Sequence, residues 1–205
     1  MIVPAQGEPL PEPALAAAVE ALRAGLVVGI PTDTVYGLAV DPTRPAATDR
    51  LFEAKRRPRD VDLPVLVATP EQALLLATAV PVAATRLMDR FWPGPLTLVL
   101  PRAPEFTGDL GEDEATVGVR CPDHPVPRAL CAEVGPLATT SANRHGEPTH
   151  ETAAAVADDL GEAVAVVLDG GACTGSPSTV VDCTGLEPRL LREGRVPWAH
   201  LLAAI

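Results

Sequence analysis

The sequence predicts an α/β fold: an open, twisted sheet of mixed parallel and antiparallel strands with helices packed on it. Three observations lead there. Short apolar, β-branched runs at 26–30, 63–68 and 164–169 have strand length and stop at proline, glycine or clusters of hydroxyls. Longer stretches between them carry helical periodicity. The two kinds interleave without strict alternation, which favours a mixed sheet over a purely parallel one. At 205 residues and 47% apolar the chain can bury a full core, and one domain over 1–205 is expected.

In chain order, a proline-rich lead gives way to a helix over 14–24, with Gly25 at its end. The strand at 26–30 ends at Pro31, where Thr32, Asp33 and Thr34 place two hydroxyls and a carboxylate side by side, and Gly37 lets the backbone pass close to a ligand. Locally, an ordinary polar turn between two strands would look the same. Asp41-Pro42 breaks the chain before a helix over 45–56 that Pro58 must stop. This helix delivers Lys55-Arg56-Arg57-Pro58-Arg59. Cations complement a helix C-terminus, but four in five residues exceed that need and suit a small anion.

A strand at 63–68 precedes helices over 70–79 and 82–91, and Trp92-Pro93-Gly94-Pro95 is a rigid turn into a strand at 96–100. The acidic stretch 101–115 reads as a solvated loop. The strand at 116–120 delivers Arg120 at its tip, able to clamp a carboxylate with two parallel hydrogen bonds or to serve as a surface ion-pair partner. A helix over 126–134 leads to Thr139-Thr140-Ser141-Ala142-Asn143, a second polar strand tip. Thr149 could cap a helix over 149–157. Strands at 164–169 and 178–182, a short strand ending at 194 and a helix over 197–204 complete the chain.

Composition singles out the same places. Of 16 basic residues 15 are arginine, and Lys55 is the only lysine; Asn143 is the only asparagine, Tyr36 the only tyrosine, and the serines are Ser141, Ser176 and Ser178. A chain rich in Ala, Pro and Arg that keeps these residues only at 31–38, at 55–58 and in two polar loops marks positions where their chemistry is needed.

Other properties exclude function classes. A net charge of −11 and six aromatics argue against a surface that grips nucleic acid. The four cysteines form no C-x-x-C, and the spacing of His124, His145 and His150 fits no metal site, so no metal ligands are assigned. No signal peptide or membrane span is evident, and a cytoplasmic location is expected. The chain lacks the P-loop and Rossmann fingerprints. Hydroxyls, Asn143, Lys55, Arg57, Arg120 and Arg192 at strand tips, without a catalytic carboxylate pair, suit a site that neutralises and positions anions at phosphorus or carboxylate centres.

Seven stretches in order resemble the signatures of the YrdC-like L-threonylcarbamoyladenylate synthases. They are Pro31-Thr32-Asp33-Thr34-Val35-Tyr36-Gly37-Leu38, Lys55-Arg56-Arg57-Pro58, Trp92-Pro93-Gly94-Pro95-Leu96-Thr97, Val119-Arg120-Cys121-Pro122, Ser141-Ala142-Asn143, Ser178-Thr179-Val180-Val181-Asp182 and Leu191-Arg192-Glu193-Gly194. The resemblance implies a YrdC-like sheet around a concave, anion-binding cavity. It also implies a reaction of L-threonine, bicarbonate and ATP that gives threonylcarbamoyl-AMP and pyrophosphate, with Mg2+ accompanying the ATP. A tRNA threonylcarbamoyl transferase complex would use the product, and no stable nucleic-acid or membrane binding is implied. By resemblance Thr34, Arg120, Thr139 and Ser178 hold threonine. Lys55 and Arg57 are catalytic, and Arg57, Thr116, Ser141, Asn143, Thr149 and Arg192 hold ATP. The resemblance leaves one polar contact missing at Val61 and a leucine, Leu66, where longer members carry histidine. It implies the short form, without the extra C-terminal domain. The rivals are a carbamoyl-adenylate-forming carbamoylation domain and an RNA-binding module.

Overall fold

The computed structural model describes residues 1–205. In chain order it contains β1 (Ile2–Pro4), α1 (Glu12–Arg23), β2 (Val28–Ile30), β3 (Gly37–Val40), α2 (Ala47–Lys55), β4 (Val65–Leu66), α3 (Pro70–Leu74) and α4 (Val82–Phe91). It continues with β5 (Leu96–Pro101), β6 (Thr116–Arg120), α5 (Pro125–Val134), β7 (Leu137–Ser141), α6 (Ala153–Leu160), β8 (Val166–Asp169), β9 (Thr179–Asp182), β10 (Arg189–Arg192) and α7 (Trp198–Leu202). The ten strands form one sheet in the order β1-β8-β2-β3-β7-β4-β6-β5-β9-β10. Parallel pairs (β1–β8, β2–β8, β4–β6, β5–β9) mix with antiparallel ones, and β1 and β10 are open edges. The expected open mixed α/β sheet is what forms.

Alternation along the strands explains where the core lies. Side chains of successive strand residues point to opposite faces. Leu38 and Val40 of β3, Val65 of β4 and Val167 of β8 enter one apolar cluster with Leu51 of α2, Leu87 of α4 and Val156 of α6. Their strand neighbours Ala39, Leu66, Val166 and Leu168 enter the other, with Ala14, Ala18 and Leu22 of α1 and Leu130 of α5. The sheet is therefore covered on both faces across β8, β2 and β3. Leu96, Leu98, Leu100, Val117 and Val119 of β5 and β6 all belong to the first cluster. Their alternate residues belong to neither.

Several boundaries differ from expectation for identifiable reasons. The lead contributes β1, which pairs with β8, and the polar stretch after Ile30 returns as β3, so it is a loop between two strands. The helix expected over 70–79 stops at Leu74. Its later residues pair with the end of β5, through an Ala77–Arg102 bridge and the Thr78 N–H on the Pro101 carbonyl at 3.0 Å. The helix expected from Thr149 begins at Ala153, capped by Thr152, whose hydroxyl oxygen accepts the Ala155 N–H at 3.2 Å. Upstream, the Glu151 carbonyl is held by the Cys173 N–H at 2.8 Å, which leaves Thr149 outside the helix.

Candidate active site

The cavity forms where helices leave the sheet bare. On β5 and β6 the apolar residues turn to the core, so Thr97 and Arg120 face the other way; Thr139 and Ser141 do the same on β7. With Thr34, Arg57, Thr149, Ser178 and Arg192 they line a cavity of about 200 Å³. A second hollow of about 340 Å³ shares Arg57, Thr97, Ser178 and Arg192 with it and continues over Val99, Leu110, Val117 and Leu191, a more apolar wall that also carries Thr116. The floor is polar and basic at one end and oily at the other.

Arg120 is only 7% exposed, so it is not a surface ion-pair partner. Its Nε donates to the Gly94 carbonyl at 3.1 Å, Nη1 donates to Thr34 Oγ1 at 3.0 Å, and Nη2 pairs with Asp33 Oδ1. Burial lowers the Arg120 pKa and the Asp33 carboxylate opposes that shift. The tryptophan turn acts as a bracket. Trp92 Nε1 donates to the Leu96 carbonyl at 2.7 Å and the Gly94 N–H to the Cys121 carbonyl at 2.8 Å, which fixes the Gly94 oxygen under Arg120. A guanidinium has five donors, so one N–H on each terminal nitrogen is left for a ligand.

The hydroxyls beside it have a defined polarity. Thr32 Oγ1 accepts the Thr34 N–H at 3.1 Å and donates its one proton to the Val35 carbonyl at 2.7 Å. In its 2.9 Å contact with Thr34 Oγ1 it must therefore accept, so the Thr34 hydroxyl donates there. Since Thr34 Oγ1 also accepts from Arg120, it offers the cavity a lone pair. Across the cavity Ser178 Oγ lies 2.9 Å from Thr97 Oγ1 and 3.3 Å from Arg192 Nη2, and Arg192 also donates to the Ser178 carbonyl at 2.9 Å.

Arg57 lies between the two hollows. Its Nε donates to the Val61 carbonyl at 2.9 Å and Nη2 to the Asp62 carbonyl at 3.0 Å. Position 61 thus serves through its main chain, and the Val61 side chain is 39% exposed, away from the cavity wall. Burial lowers the pKa of Arg57, with Asp62 opposing, and that of Arg192. Leu66 makes an apolar patch in the wall.

Lys55 and Asn143 are placed beneath the wall rather than in it. Lys55 is 1% exposed, and its Nζ donates to the Ser141 carbonyl at 2.6 Å, to Asn143 Oδ1 at 3.1 Å and to the Asn143 carbonyl. Burial draws its pKa down to about 8, Arg57 adding to the shift and Asp159 opposing it. Asn143 Nδ2 donates to the Arg144 and Glu147 carbonyls, so both ends of the amide are engaged. Tyr36 is also buried, its hydroxyl donating to the Gly171 carbonyl at 2.8 Å. His124 caps α5 by accepting the Val126 N–H, and His150 Nε2 lies 2.9 Å from Asp159.

This geometry can be set beside known proteins. The family model Sua5_yciO_yrdC, described as telomere recombination, matches residues 20–194. The chain belongs to the Sua5/YciO/YrdC family. A putative threonylcarbamoyl-AMP synthase of Mycobacterium tuberculosis is 43% identical over 183 residues, 89% of this chain and 84% of the relative. The threonylcarbamoyl-AMP synthase of Bacillus subtilis is 41% identical over 197 residues, 95% of this chain and 57% of the relative. The crystal structure of P. abyssi Sua5 complexed with L-threonine superposes with a TM-score of 0.90 at 38% identity, covering 100% of this chain and 61% of that one. The chain therefore spans about three fifths of the P. abyssi protein.

In this Sua5/YciO/YrdC chain, the residues that the motifs single out separate into two groups. Thr34, Arg57, Arg120, Thr139, Ser141, Thr149, Ser178 and Arg192 meet around one cavity, and Thr116 lines its annex, its hydroxyl donating to Asp113 at 2.5 Å. Lys55 and Asn143 do not reach the cavity surface. Thr97 and Asp33 went without a role in the sequence. Thr97 closes the Trp92–Thr97 stretch and sits between Leu96 and Leu98, a period-two break in an apolar strand. Asp33 gave no hint that its partner would be Arg120, because the pair joins residues 87 positions apart.

Proposed function

We propose that the chain is an L-threonylcarbamoyladenylate synthase, forming threonylcarbamoyl-AMP and pyrophosphate from L-threonine, bicarbonate and ATP. The observation that carries this reading is Arg120, held with two free N–H groups beside the Thr34 lone pair in a cavity that also contains Arg57 and Arg192. The arginine fork suits the amino-acid carboxylate, and the Thr34 lone pair suits an amine or hydroxyl donor. Thr139 and Ser178 supply further hydroxyls in the same cavity. Threonine's amine and bicarbonate condense to a carbamate with loss of water, and a carbamate oxygen attacks the α-phosphorus as the bond to pyrophosphate breaks. Holding carbamate and phosphorus in line, with Arg57 and Arg192 offsetting charge on the phosphates, provides the rate. The apolar annex with Thr116 suits the nucleoside, and Ser141 and Thr149 its phosphates.

The main cavity has no carboxylate in its lining, the annex has one, Asp62, and no three His, Cys, Asp or Glu side chains come together, so the residues present do not fit a protein-held Mg2+. Mg2+ is read as part of the substrate, arriving on the phosphates of ATP. The likeness to relatives named threonylcarbamoyl-AMP synthase supports a role in threonylcarbamoyladenosine modification of tRNA, with a transferase complex consuming the product. No helix is long and apolar enough to cross a membrane, and a single domain over 1–205 acting in the cytoplasm fits this role.

The test is pyrophosphate release from MgATP with and without bicarbonate and L-threonine. Strict dependence on both is expected. Release driven by carbamoyl phosphate without an amino acid would replace this reading with the carbamoylation rival, and salt-sensitive RNA binding without turnover with the binding module.

Thr32→Val provides a finer test of the threonine site. It removes the acceptor that fixes the Thr34 proton and leaves the Val35 carbonyl and the Thr34 N–H without their partner. The KM for threonine is expected to rise about threefold to tenfold with kcat largely kept, and stability to fall by about 1–2 kcal/mol. Steady-state kinetics and thermal melting measure the two effects.

A further inference from the structure

We propose that Arg195 is a positioning residue of the amino-acid pocket, a staple that ties the Asp33–Thr34 turn to the Pro177–Ser178 segment from outside the cavity. The inference deepens the synthase reading and rests on it for what the pocket binds.

The contacts carry the argument. The Arg195 N–H donates to the Pro177 carbonyl at 2.9 Å, and its Nη1 donates to the Asp33 carbonyl at 2.6 Å, joining residues 162 positions apart. Each carbonyl belongs to the residue just before a hydroxyl of the cavity wall, Thr34 in one case and Ser178 in the other. One residue therefore holds the main chain beside both hydroxyls. A second tie closes the same gap, the Gly175 N–H donating to the Thr34 carbonyl at 2.9 Å. Asp33 is thus gripped twice, its carboxylate by Arg120 and its carbonyl by Arg195. Because Arg120 also donates to Thr34 Oγ1, a shift of this turn would move the arginine fork and the threonine lone pair together.

The arm that carries Arg195 is built for close contact. Thr179 is fully buried, and its hydroxyl donates to the Val196 carbonyl at 2.6 Å while accepting the N–H groups of Gly194 at 3.0 Å and Val196 at 3.1 Å. Both neighbours of Arg195 are therefore pinned to one hydroxyl. Glu193 accepts the Trp198 N–H at 2.8 Å, which ties the arm to the start of α7. A Cβ at Gly194 would run into the Pro177 and Ser178 carbonyls, and one at Gly175 would come within 2.6 Å of the Thr34 carbonyl oxygen, so glycine lets the three segments touch through their backbones. Arg195 itself is exposed and lies outside the cavity lining, and no buried carboxylate depends on it. Its loss should disturb alignment and spare the fold.

Arg195→Met removes the side-chain bond and keeps the main-chain one. The KM for L-threonine is expected to rise about threefold to tenfold, the size of one lost hydrogen bond, while kcat, the KM for ATP and the melting temperature stay close to those of the parent. In the substrate-free protein, exchange of the Gly175 amide, which reports on the tie between the two segments, should accelerate by a similar factor. Arg195→Lys, whose ammonium can reach the same carbonyl, should restore most of both. Unchanged Gly175 exchange would overturn the proposal. So would a rise in the KM for ATP that disappears at high salt while the KM for threonine stays put, since Arg195 would then act as a charge near the phosphates. The exchange measurement needs no turnover. A chain that fails the pyrophosphate assay while Arg195→Met still loosens Gly175 refutes the synthase reading and leaves the staple standing.

Discussion

Arg120→Met is expected to abolish threonine-dependent pyrophosphate release and to destabilise the fold by about 3–5 kcal/mol, the cost of stripping one partner from a buried ion pair. Both effects come from the same contacts. Asp33 Oδ1 is paired with Arg120, and Asp33 Oδ2 is buried with no partner at all, so removing the guanidinium leaves a carboxylate with nothing on either oxygen. Thr34 Oγ1 and the Gly94 carbonyl lose a donor as well. In a chain of this size a loss of that order lowers the melting temperature by roughly 10 °C.

Adding Asp33→Asn separates the two effects. Without the orphaned charge the double variant Asp33→Asn/Arg120→Met is expected to recover much of the melting temperature, while threonine-dependent turnover stays absent because the fork is gone. Calorimetry and the pyrophosphate assay on the single and double variants measure this. Turnover that returned together with stability would mean that Arg120 only supports the fold, and the threonine assignment would fail.

The site was more legible in the sequence than its internal organisation. Strand tips at Pro31, Arg120 and Thr139–Asn143 could be read from apolar runs that end in polar clusters, and the sheet brings all three together. Rare residues pointed to the right stretches. Lys55, Asn143 and Tyr36 were singled out as chemistry-bearing, and each is engaged with main-chain carbonyls beside the cavity.

What was not legible depends on pairing. The polar stretch at 32–36 is both a turn between strands and part of the cavity, because β3 returns beside β7 and sets Gly37 opposite Ser141. The end of α3 was misjudged because residues 77–78 pair with the end of β5, a tertiary contact that overrides local helix preference. Val61 offers no polar side chain, and what it gives Arg57 comes from its carbonyl, which any residue provides.

The second large effect is expected at Arg57. Arg57→Ala should lower kcat by about 100-fold to 1000-fold, the range for losing a preorganised donor to charge that develops in the transition state, while stability changes by less than about 1 kcal/mol. The asymmetry follows from its partners. Arg57 bonds carbonyls of the neighbouring 61–62 segment and makes a 3.5 Å contact to Thr140 Oγ1, with no buried carboxylate depending on it. Its guanidinium borders both hollows, where the phosphates would pass from the nucleoside annex to the carbamate, and burial already makes its charge costly there. Nearby phosphates would favour that charge, so binding of MgATP and stabilisation of the leaving pyrophosphate draw on the same group. Arg57→Lys should recover only part of the loss, since an ammonium keeps the charge and loses the planar fork that reaches Val61 and Asp62 together. Single-turnover kinetics with saturating MgATP separates the chemical step from binding. An alanine variant with full kcat and only a raised KM for ATP would reduce Arg57 to a binding contact.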